Sequence, residues 1–301
     1  MPSRQSTEVH DQPGEFITGS YTNPAGTRPY KLYVPARNAE GARSLVVMLH
    51  GCTQTADDFA TGTRMNALAE ERHFLVLYPA QTQAASHARC WNWFKHSDDP
   101  LTQGEAAIIA GMTRAIISGH GIDRRRVYVA GLSAGGAMAA VLGATCPALY
   151  AGVGIHSGLA NGSAHDLQSA FAAMRGLPAS QGRSTAAAPT SPAQPIIVFH
   201  GDRDTTVHPR NGEQVVSQSV DRRATSSAGA TIEQGRIPDG HAYTRTIHYD
   251  RAGRPALEHW LVHGAGHAWF GGSPNGSMTD PKGPDAAREM IRFFFQSAGG
   301  A

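Results

Sequence analysis

Residues 126–141 read RVYVAGLSAGGAMAAV and place Ser133 inside a G-x-S-x-G pattern. The apolar run at 127–129 predicts a buried strand before the serine, and the good helix formers at 137–142 predict a helix after it. A nucleophile elbow requires this context, because its serine lies on a sharp strand-to-helix turn with the hydroxyl exposed and the helix amides directed at a substrate oxyanion. Glycine and serine also form ordinary turns, so the prediction of Ser133 as a nucleophile depends on finding its partners elsewhere.

The composition is typical of a globular chain rather than of a nucleic-acid-binding or membrane protein. The chain has 301 residues, 41% of them hydrophobic, which is enough for a packed core. A formal net charge of +2 is too small to indicate a nucleic-acid partner. No apolar run approaches the roughly 18 residues that a membrane span needs. We therefore expect neither nucleic acid nor a membrane as a partner, and the sequence leaves the oligomeric state open.

The N-terminal residues and the cysteines indicate in which cellular compartment the protein is expected. Residues 1–20 lack the apolar core of a secretory signal. The chain is therefore expected to be cytoplasmic if complete as given, and secreted or periplasmic if a signal has been removed. Three cysteines, at positions 52, 90 and 146, allow at most one internal disulfide, and their spacing matches no zinc pattern.

Buried strands alternate with helices along most of the chain. Continuous apolar runs are typical of parallel strands covered on both faces. They predict strands at residues 44–50, 74–78, 127–129, 152–156 and 195–200. Helices are predicted at residues 64–72, 104–119, 137–142, 210–223 and 285–296. This alternation indicates an α/β fold with a mostly parallel central sheet flanked by helices.

The remaining segments are less regular. Residues 1–25 are expected to form a loose N-terminal segment, followed by a single catalytic domain at 26–301. A short alternating stretch at 30–34 predicts an edge strand. Residues 243–249 and 256–262 alternate on either side of a turn, which predicts an antiparallel hairpin.

Two long segments interrupt the pattern. Residues 79–102 are irregular but carry tryptophans, which favours a functional segment over a disordered one. Residues 158–194 are rich in Ala, Ser, Gly and Pro and are interpreted as an insertion over one face of the domain, partly helical at 166–175. This insertion is a candidate lid.

The predicted nucleophile needs a carboxylate that orients its general base. Asp204 fits this role because it follows the predicted strand at 195–200. Asp202 competes for the role, and Asp204 could instead be a turn residue that caps its own backbone. We favour Asp204 because it lies farther round the loop, with Val207 placed to anchor the return.

The predicted general base is His267, in the glycine-flanked stretch GAGHAW after the predicted hairpin. The order Ser133, Asp204, His267 is the one expected of an α/β-hydrolase. A metal site is the alternative, since His259, His263 and His267 are spaced by four. That spacing converges only on a helix, whereas HWLVHG is typical of a strand and a turn. No metal and no cofactor is predicted. Four other histidines are interpreted as structural or surface residues: His50, His156, His200 and His241.

A tetrahedral intermediate needs two amide donors. The backbone of Ala134, after the nucleophile, should supply one. The backbone of Cys52, in the glycine-containing loop after the strand at 44–50, should supply the other. Substrate contact is predicted for the tryptophans Trp91, Trp93 and Trp269, with burial in the core as the alternative for each.

Six stretches in order resemble the catalytic domain of the poly(3-hydroxybutyrate) depolymerase family, which is similar to feruloyl and acetylxylan esterases. They are HGCTQTADDFA at 50–60, MNALAEERHFLVLYPAQ at 65–81, CWNWF at 90–94, GLSAGGAMA at 131–139, HGDRDTTV at 200–207 and GAGHAWFGG at 264–272. The resemblance runs from about Tyr30 to Phe295. It implies an α/β-hydrolase fold, and it implies Ser133 as nucleophile, Asp204 as acid and His267 as base. It also implies Cys52 as an oxyanion donor and a disulfide between Cys52 and Cys90.

The function implied is hydrolysis of esters through an acyl-enzyme, on poly(3-hydroxybutyrate), its oligomers, related aliphatic polyesters or short-chain esters. Feruloyl or acetylxylan esters of plant polysaccharide are the alternative substrates, and a catalytically silent binding protein is the alternative class. Secreted polymer-degrading members carry a linker and a separate polymer-binding domain, and neither follows Ala301. We therefore expect soluble oligomers, amorphous polyester or small esters rather than crystalline polymer as substrates.

Overall fold

The structure is a computed structural model that describes residues 14–37, 43–95, 103–177, 194–222 and 229–297. Its strands are β1 (Glu15–Asn23), β2 (Gly26–Val34), β3 (Arg43–Leu49), β4 (Leu75–Pro79), β5 (Ile122–Leu132), β6 (Gly152–His156), β7 (Ile196–Gly201), β8 (Ala230–Arg236), β9 (Ala242–Tyr249), β10 (Pro255–His263), β11 (Trp269–Phe270) and β12 (Thr279–Asp280). Its helices are α1 (Ala56–Thr63), α2 (Met65–Arg72), α3 (Gly104–His120), α4 (Ala134–Thr145), α5 (Leu167–Met174), α6 (Arg210–Arg222) and α7 (Ala286–Ser297).

The first ten strands form one sheet in the order β1-β2-β4-β3-β5-β6-β7-β10-β9-β8. The central strands, from β4 to β10, run parallel to one another. Antiparallel pairs, β1 with β2 and β9 with β8, close the two sides. The carboxyl ends of the parallel strands therefore lie along one edge of the sheet, where ligands bind in open α/β sheets.

Helices cover both faces of the sheet, so the central strands are apolar on both sides. Along β3, Leu45, Val47 and Leu49 belong to the core beneath α3 and α4, whereas Val46 and Met48 belong to the core beneath α1, α2 and α7. This alternation places successive side chains in different layers, although all of them are buried. The predicted fold class is confirmed.

The N-terminal region differs from the prediction. Residues 15–23, expected to be loose, form β1, which pairs antiparallel with β2 from Glu15 opposite Val34 to Asn23 opposite Gly26. The strand β2 is consequently not an edge strand, because β1 and β4 lie on its two sides. The side chains of β1 are largely exposed, so the strand depends on backbone pairing and leaves no apolar run in the sequence.

Other expectations have mixed outcomes. The hairpin is present as β9 and β10, but the strand β8, which pairs with β9, was not predicted because nearly all its side chains are exposed. The helical part of the insertion is present as α5, capped by Asp166. Residues 178–193 of the insertion lie outside the described residues, so its role as a lid stays a prediction. Within the described ranges, no helix is long and apolar enough to cross a membrane.

Candidate active site

Ser133 occupies a strained turn between β5 and α4. Its φ of 57° and ψ of −120° lie where a residue with a side chain is rarely found. A Cβ atom on Gly131 would collide with the backbone of Gly135, and one on Gly135 would collide with the carbonyls of Leu49 and His50. The two glycines thus allow the turn to close and the loop after β3 to contact it. This is the geometry of a nucleophile elbow.

The loop after β3 is held by its own side chains. Gly51 donates its N–H to Gln54 Oε1 at 2.9 Å, and its carbonyl accepts from His50 Nδ1 at 2.7 Å. The other nitrogen of His50, Nε2, accepts the backbone N–H of Gln81 at 3.0 Å. Burial lowers the pKa of His50 to about 4, so the ring is neutral and suited to both contacts.

Two backbone N–H groups at this point have no acceptor within the part of the chain that the structure describes. Among the described residues, neither the N–H of Cys52 nor that of Ala134 donates a hydrogen bond. The N–H of Ala134 is the first of the helix α4, where the helix dipole adds partial positive charge. The two amides expected as oxyanion donors are therefore free to bind a substrate oxygen. One belongs to the loop after β3, and the other belongs to the nucleophile elbow.

A disulfide joins this loop to the tryptophan-bearing segment. Cys52 and Cys90 are bonded, as the family resemblance implied, and Cys146 is free and buried. The neighbouring Thr53 donates its backbone N–H to Ala88. Glu105 of α3 anchors the same segment by accepting the backbone and side-chain N–H groups of Asn92 at 2.7 and 2.9 Å.

Two of the three tryptophans, Trp91 and Trp269, are fully buried, which favours the core alternative for them, and a substrate contact of Trp93 stays a prediction. Trp91 is 0% exposed and Trp269 is 1% exposed, so neither presents surface to a substrate. Trp91 Nε1 donates to the carbonyl of His50 at 3.1 Å, and Trp269 packs edge-on against Phe59. Trp93, 7% exposed, belongs to the core cluster that contains Trp91. These contacts join segments distant in sequence, which a local pattern does not reveal.

Asp204 and His267 form a close pair. Oδ2 of Asp204 lies 2.7 Å from Nδ1 of His267, and Oδ1 accepts the backbone N–H groups of Thr206 and Val207. Burial alone would raise the pKa of the Asp204 carboxyl. Hydrogen bonds from His200, His267 and the Val207 amide outweigh burial and hold that pKa well below its ordinary value. The carboxylate is therefore ionised and oriented toward the imidazole.

Asp202 binds the backbone that leads to His267 instead of its ring. Its Oδ1 accepts the N–H of Gly264 at 2.7 Å, and its Oδ2 lies 3.0 Å from Nδ1 of His263. The backbone of Asp202 also donates to the carbonyl of Val262 at 3.0 Å. Of the two competing carboxylates, Asp204 is thus the one that reaches His267, and Asp202 fixes the start of its loop.

The alternative of a metal site finds no support in these contacts. His263 is paired with Asp202 and with Thr244 Oγ1. The described part of the chain contains no group of three or more His, Cys, Asp or Glu side chains arranged to hold a metal ion.

The histidines interpreted from the sequence as structural or surface residues include three that support the site, a role that was not predicted. His50, His156 and His200 lie at the carboxyl ends of β3, β6 and β7, and each is at most 1% exposed. His200 Nε2 donates to the Val207 carbonyl at 2.8 Å and lies 3.5 Å from Asp204 Oδ2. The available signal was that three apolar runs each end in histidine, but 15 histidines in the chain obscure it.

The parallel sheet, the strained serine between β5 and α4, and the Asp–His pair after later strands define an α/β-hydrolase-fold protein. Comparison with known proteins then gives the family. The Esterase PHB depolymerase family matches residues 28–236, so the chain belongs to this family of esterases.

Individual relatives agree with this assignment. The chain is 34% identical over 257 residues to poly(3-hydroxyalkanoate) depolymerase C of Paucimonas lemoignei, covering 82% of this chain and 59% of that protein. It is 29% identical over 280 residues to the probable acetylxylan esterase A of Neosartorya fischeri, covering 85% of this chain and 73% of that protein. The solved acetyl xylan esterase from Aspergillus awamori superposes with a TM-score of 0.70 at 22% identity, covering 91% of this chain and 96% of that chain. This last similarity shows the fold.

Proposed function

We propose that the protein hydrolyses carboxylic esters through a covalent acyl-enzyme on Ser133. The observation that carries the proposal is the 2.7 Å contact between Asp204 Oδ2 and His267 Nδ1 on the same sheet edge as the strained serine. A buried carboxylate on Nδ1 directs the other ring nitrogen, Nε2, toward proton transfer with a serine hydroxyl. Membership of an esterase family supports the same chemistry.

In the first half-reaction, Ser133 Oγ attacks the ester carbonyl carbon while His267 Nε2 takes the hydroxyl proton. Asp204 stabilises the imidazolium that forms. The carbonyl oxygen becomes an oxyanion, which accepts hydrogen bonds from the N–H groups of Cys52 and Ala134. His267 then returns the proton to the leaving alkoxide, and the C–O bond of the ester breaks.

In the second half-reaction, a water molecule attacks the acyl-Ser133 carbonyl and gives one proton to His267. The same two amides stabilise the second tetrahedral intermediate. Its collapse releases the carboxylic acid, and the proton on His267 returns to Ser133 Oγ. Each donor amide is expected to contribute roughly 10²–10³ in rate, the usual effect of removing one oxyanion donor.

We further propose polyester oligomers, amorphous poly(3-hydroxybutyrate) or short-chain esters as substrates. The family description and the 34% identity to a depolymerase favour them. Acetylated or feruloylated polysaccharide is the second candidate, favoured by the match to acetylxylan esterase A. The disulfide between Cys52 and Cys90 supports a secreted or periplasmic location, because disulfides persist in oxidising compartments.

One panel of substrates separates these candidates. Purified protein is incubated with 3-hydroxybutyrate trimer, amorphous polyhydroxybutyrate granules, acetylated xylan and methyl ferulate, and acid release is measured for each. We expect the trimer and granules to give the highest specific rates. Faster release from xylan or ferulate would move the protein to the second candidate. If none is hydrolysed and a fluorophosphonate probe fails to label Ser133, the proposed function is wrong.

A further inference from the structure

One histidine connects the turn that carries Ser133 to the loop that carries His267. His156 ends β6, and its backbone carbonyl accepts the N–H of Ser133 at 2.9 Å. Its side chain reaches in another direction, where Nε2 accepts the backbone N–H of Phe270 at 3.0 Å. Phe270 lies three residues after His267. The same residue thus contacts both the predicted nucleophile and the loop of the predicted base.

The ring of His156 is enclosed on all sides. It is 0% exposed and stacks on Phe199, with ring centroids 5.6 Å apart and planes 10° apart. Trp269 stacks on it as well, with a centroid distance of 5.0 Å. Burial, aided by the charges of nearby histidines, lowers the pKa of His156 well below its ordinary value. The ring is therefore neutral and carries one N–H. Because Nε2 accepts the N–H of Phe270, the ring hydrogen is on Nδ1, which donates to Ser157 Oγ at 3.2 Å.

The backbone N–H of Phe270, which donates to the His156 ring, does not take part in the pairing between β11 and β12. The backbone N–H groups of Trp269 and Gly271 donate to Met278 and Asp280 on the side of β12. The N–H of Phe270 points the opposite way, into the protein, toward His156. A buried N–H that loses its acceptor is costly, so an apolar ring of the same size would not replace the imidazole. Core packing alone does not account for a histidine here.

We propose that His156 is a positioning residue that fixes the His267 loop relative to Ser133. The inference rests on the proposed function, because it assigns His156 a task in that same site. Asp202 fixes the beginning of the loop at Gly264, and His156 fixes its end at Phe270. With both ends bound, the loop that carries His267 is fixed at the sheet edge that carries Ser133. Displacing a reacting group by about 1 Å commonly costs 10²-fold in rate.

The test compares three variants on p-nitrophenyl butyrate. His156→Leu removes the acceptor and should lower kcat about 10²-fold with KM within threefold of wild type. His156→Gln keeps an oxygen near the position of Nε2 and should recover at least tenfold of that loss. Phe199→Leu, the matched control, removes a ring that stacks on His156 but makes no polar contact with the loop. It should lose a comparable amount of thermal stability and stay within threefold in kcat.

A spectroscopic readout makes the test independent of turnover. The proton that His267 Nδ1 donates to Asp204 should give a far-downfield NMR resonance in the wild type, in His156→Gln and in Phe199→Leu. In His156→Leu this resonance should be lost or exchange-broadened. If the Leu variant does not fold, His156→Asn, whose shorter side chain does not reach Phe270, takes its place with the same expectations.

Several results would overturn the inference. One is a His156→Leu enzyme within threefold of wild-type kcat that keeps the resonance. Another is an equal loss in all three variants, which would mean that the effect is general destabilisation. A wild type that shows the resonance but hydrolyses no ester would instead refute the proposed function, and the resonance in the variants would still decide the role of His156.

Discussion

The two sides of the candidate active site are built differently. The oxyanion side, residues 50–54 and 81–94, is tied together by the Cys52–Cys90 disulfide and by the carboxylate of Glu105. The acid–base side, residues 201–207 and 262–270, has no covalent cross-link in the described chain and is joined by apolar packing and by hydrogen bonds, chiefly from Asp202, Asp204 and His156. A reductant should therefore act on one side only.

The two sides have different tasks in the proposed reaction. The amide of Cys52 neither gains nor loses a proton, so a covalent tie that keeps it in place is sufficient. His267 gains and loses a proton twice in each cycle and needs an ionised carboxylate that stabilises its charged form. The following predictions separate the two sides, from the largest expected effect to the smallest.

Removing the charge of Asp204 should have the largest effect on the acid–base side. Asp204→Asn keeps the shape of the side chain but no longer stabilises the imidazolium or fixes the tautomer of His267. We expect kcat on p-nitrophenyl butyrate to fall by about 10⁴-fold, as in other triads with this change. Steady-state kinetics at neutral pH measure it.

Asp202→Asn is the matched control for that change. The amide oxygen still accepts the N–H of Gly264, and the carboxylate it replaces does not touch His267. The loss in kcat should stay within about tenfold, in line with the modest effect of a neutral hydrogen bond replacing a charged one. Equal losses in the two variants would contradict the separate roles assigned to Asp202 and Asp204.

Opening the disulfide should affect the oxyanion side less severely. Cys52 and Cys90 are separated by 38 residues, so the cross-link is expected to contribute about 4 kcal/mol to the free energy of unfolding through loop entropy. The double variant Cys52→Ser/Cys90→Ser should lose stability of this order and about tenfold to a hundredfold in kcat, since the Cys52 amide is less well fixed.

Cys146→Ser serves as the control for the disulfide variant, because Cys146 is free and follows the C-terminal end of α4, opposite the end that begins at Ala134. Without dithiothreitol, its kcat should equal that of the wild type. Dithiothreitol reduces Cys52–Cys90 in both proteins and should lower their kcat equally. Denaturant unfolding and kinetics on the same preparations give both readouts. A double variant as active and stable as the wild type would show that the tie is dispensable.

The smallest predicted effect is on the pH dependence of stability. Burial lowers the pKa of His50 to about 4, whereas an unfolded histidine titrates near 6.5. The stabilisation from the neutral ring is therefore complete above about pH 6.5 and is lost as the pH falls toward 4. The loss amounts to roughly 3 kcal/mol.

His50→Gln should consequently show a flatter decline of the free energy of unfolding over this pH range. Urea unfolding at a series of pH values measures the slope for both proteins. His156 has its pKa lowered in the same direction and remains in the variant, so part of the decline should persist. Identical slopes would contradict the assignment of a buried, neutral His50.

The fold and the members of the candidate site could be predicted because local sequence encodes them. Apolar runs ending in glycine or histidine revealed the parallel strands, and chain order singled out Ser133, Asp204 and His267. The structure brings Asp204 and His267 together. The roles of these residues stay predictions until they are tested.

Other features escaped prediction because they depend on contacts between distant segments. Trp91 is buried because its segment folds back onto the His50 carbonyl, and Trp269 is buried because it stacks on His156. The exposed strand β1 carries no apolar signal and is defined by pairing with β2. His156 looks like one histidine among 15 until its two hydrogen-bonded partners are seen.

The central claim, that Ser133 forms the acyl-enzyme, is tested most directly by Ser133→Ala. The variant should fold like the wild type and lose about a millionfold in kcat on p-nitrophenyl butyrate. Ser44→Ala is the control and should keep wild-type turnover, because it changes a buried serine at the amino end of β3, at the opposite edge of the sheet. A Ser133→Ala enzyme that retains more than a tenth of the wild-type kcat would contradict the claim.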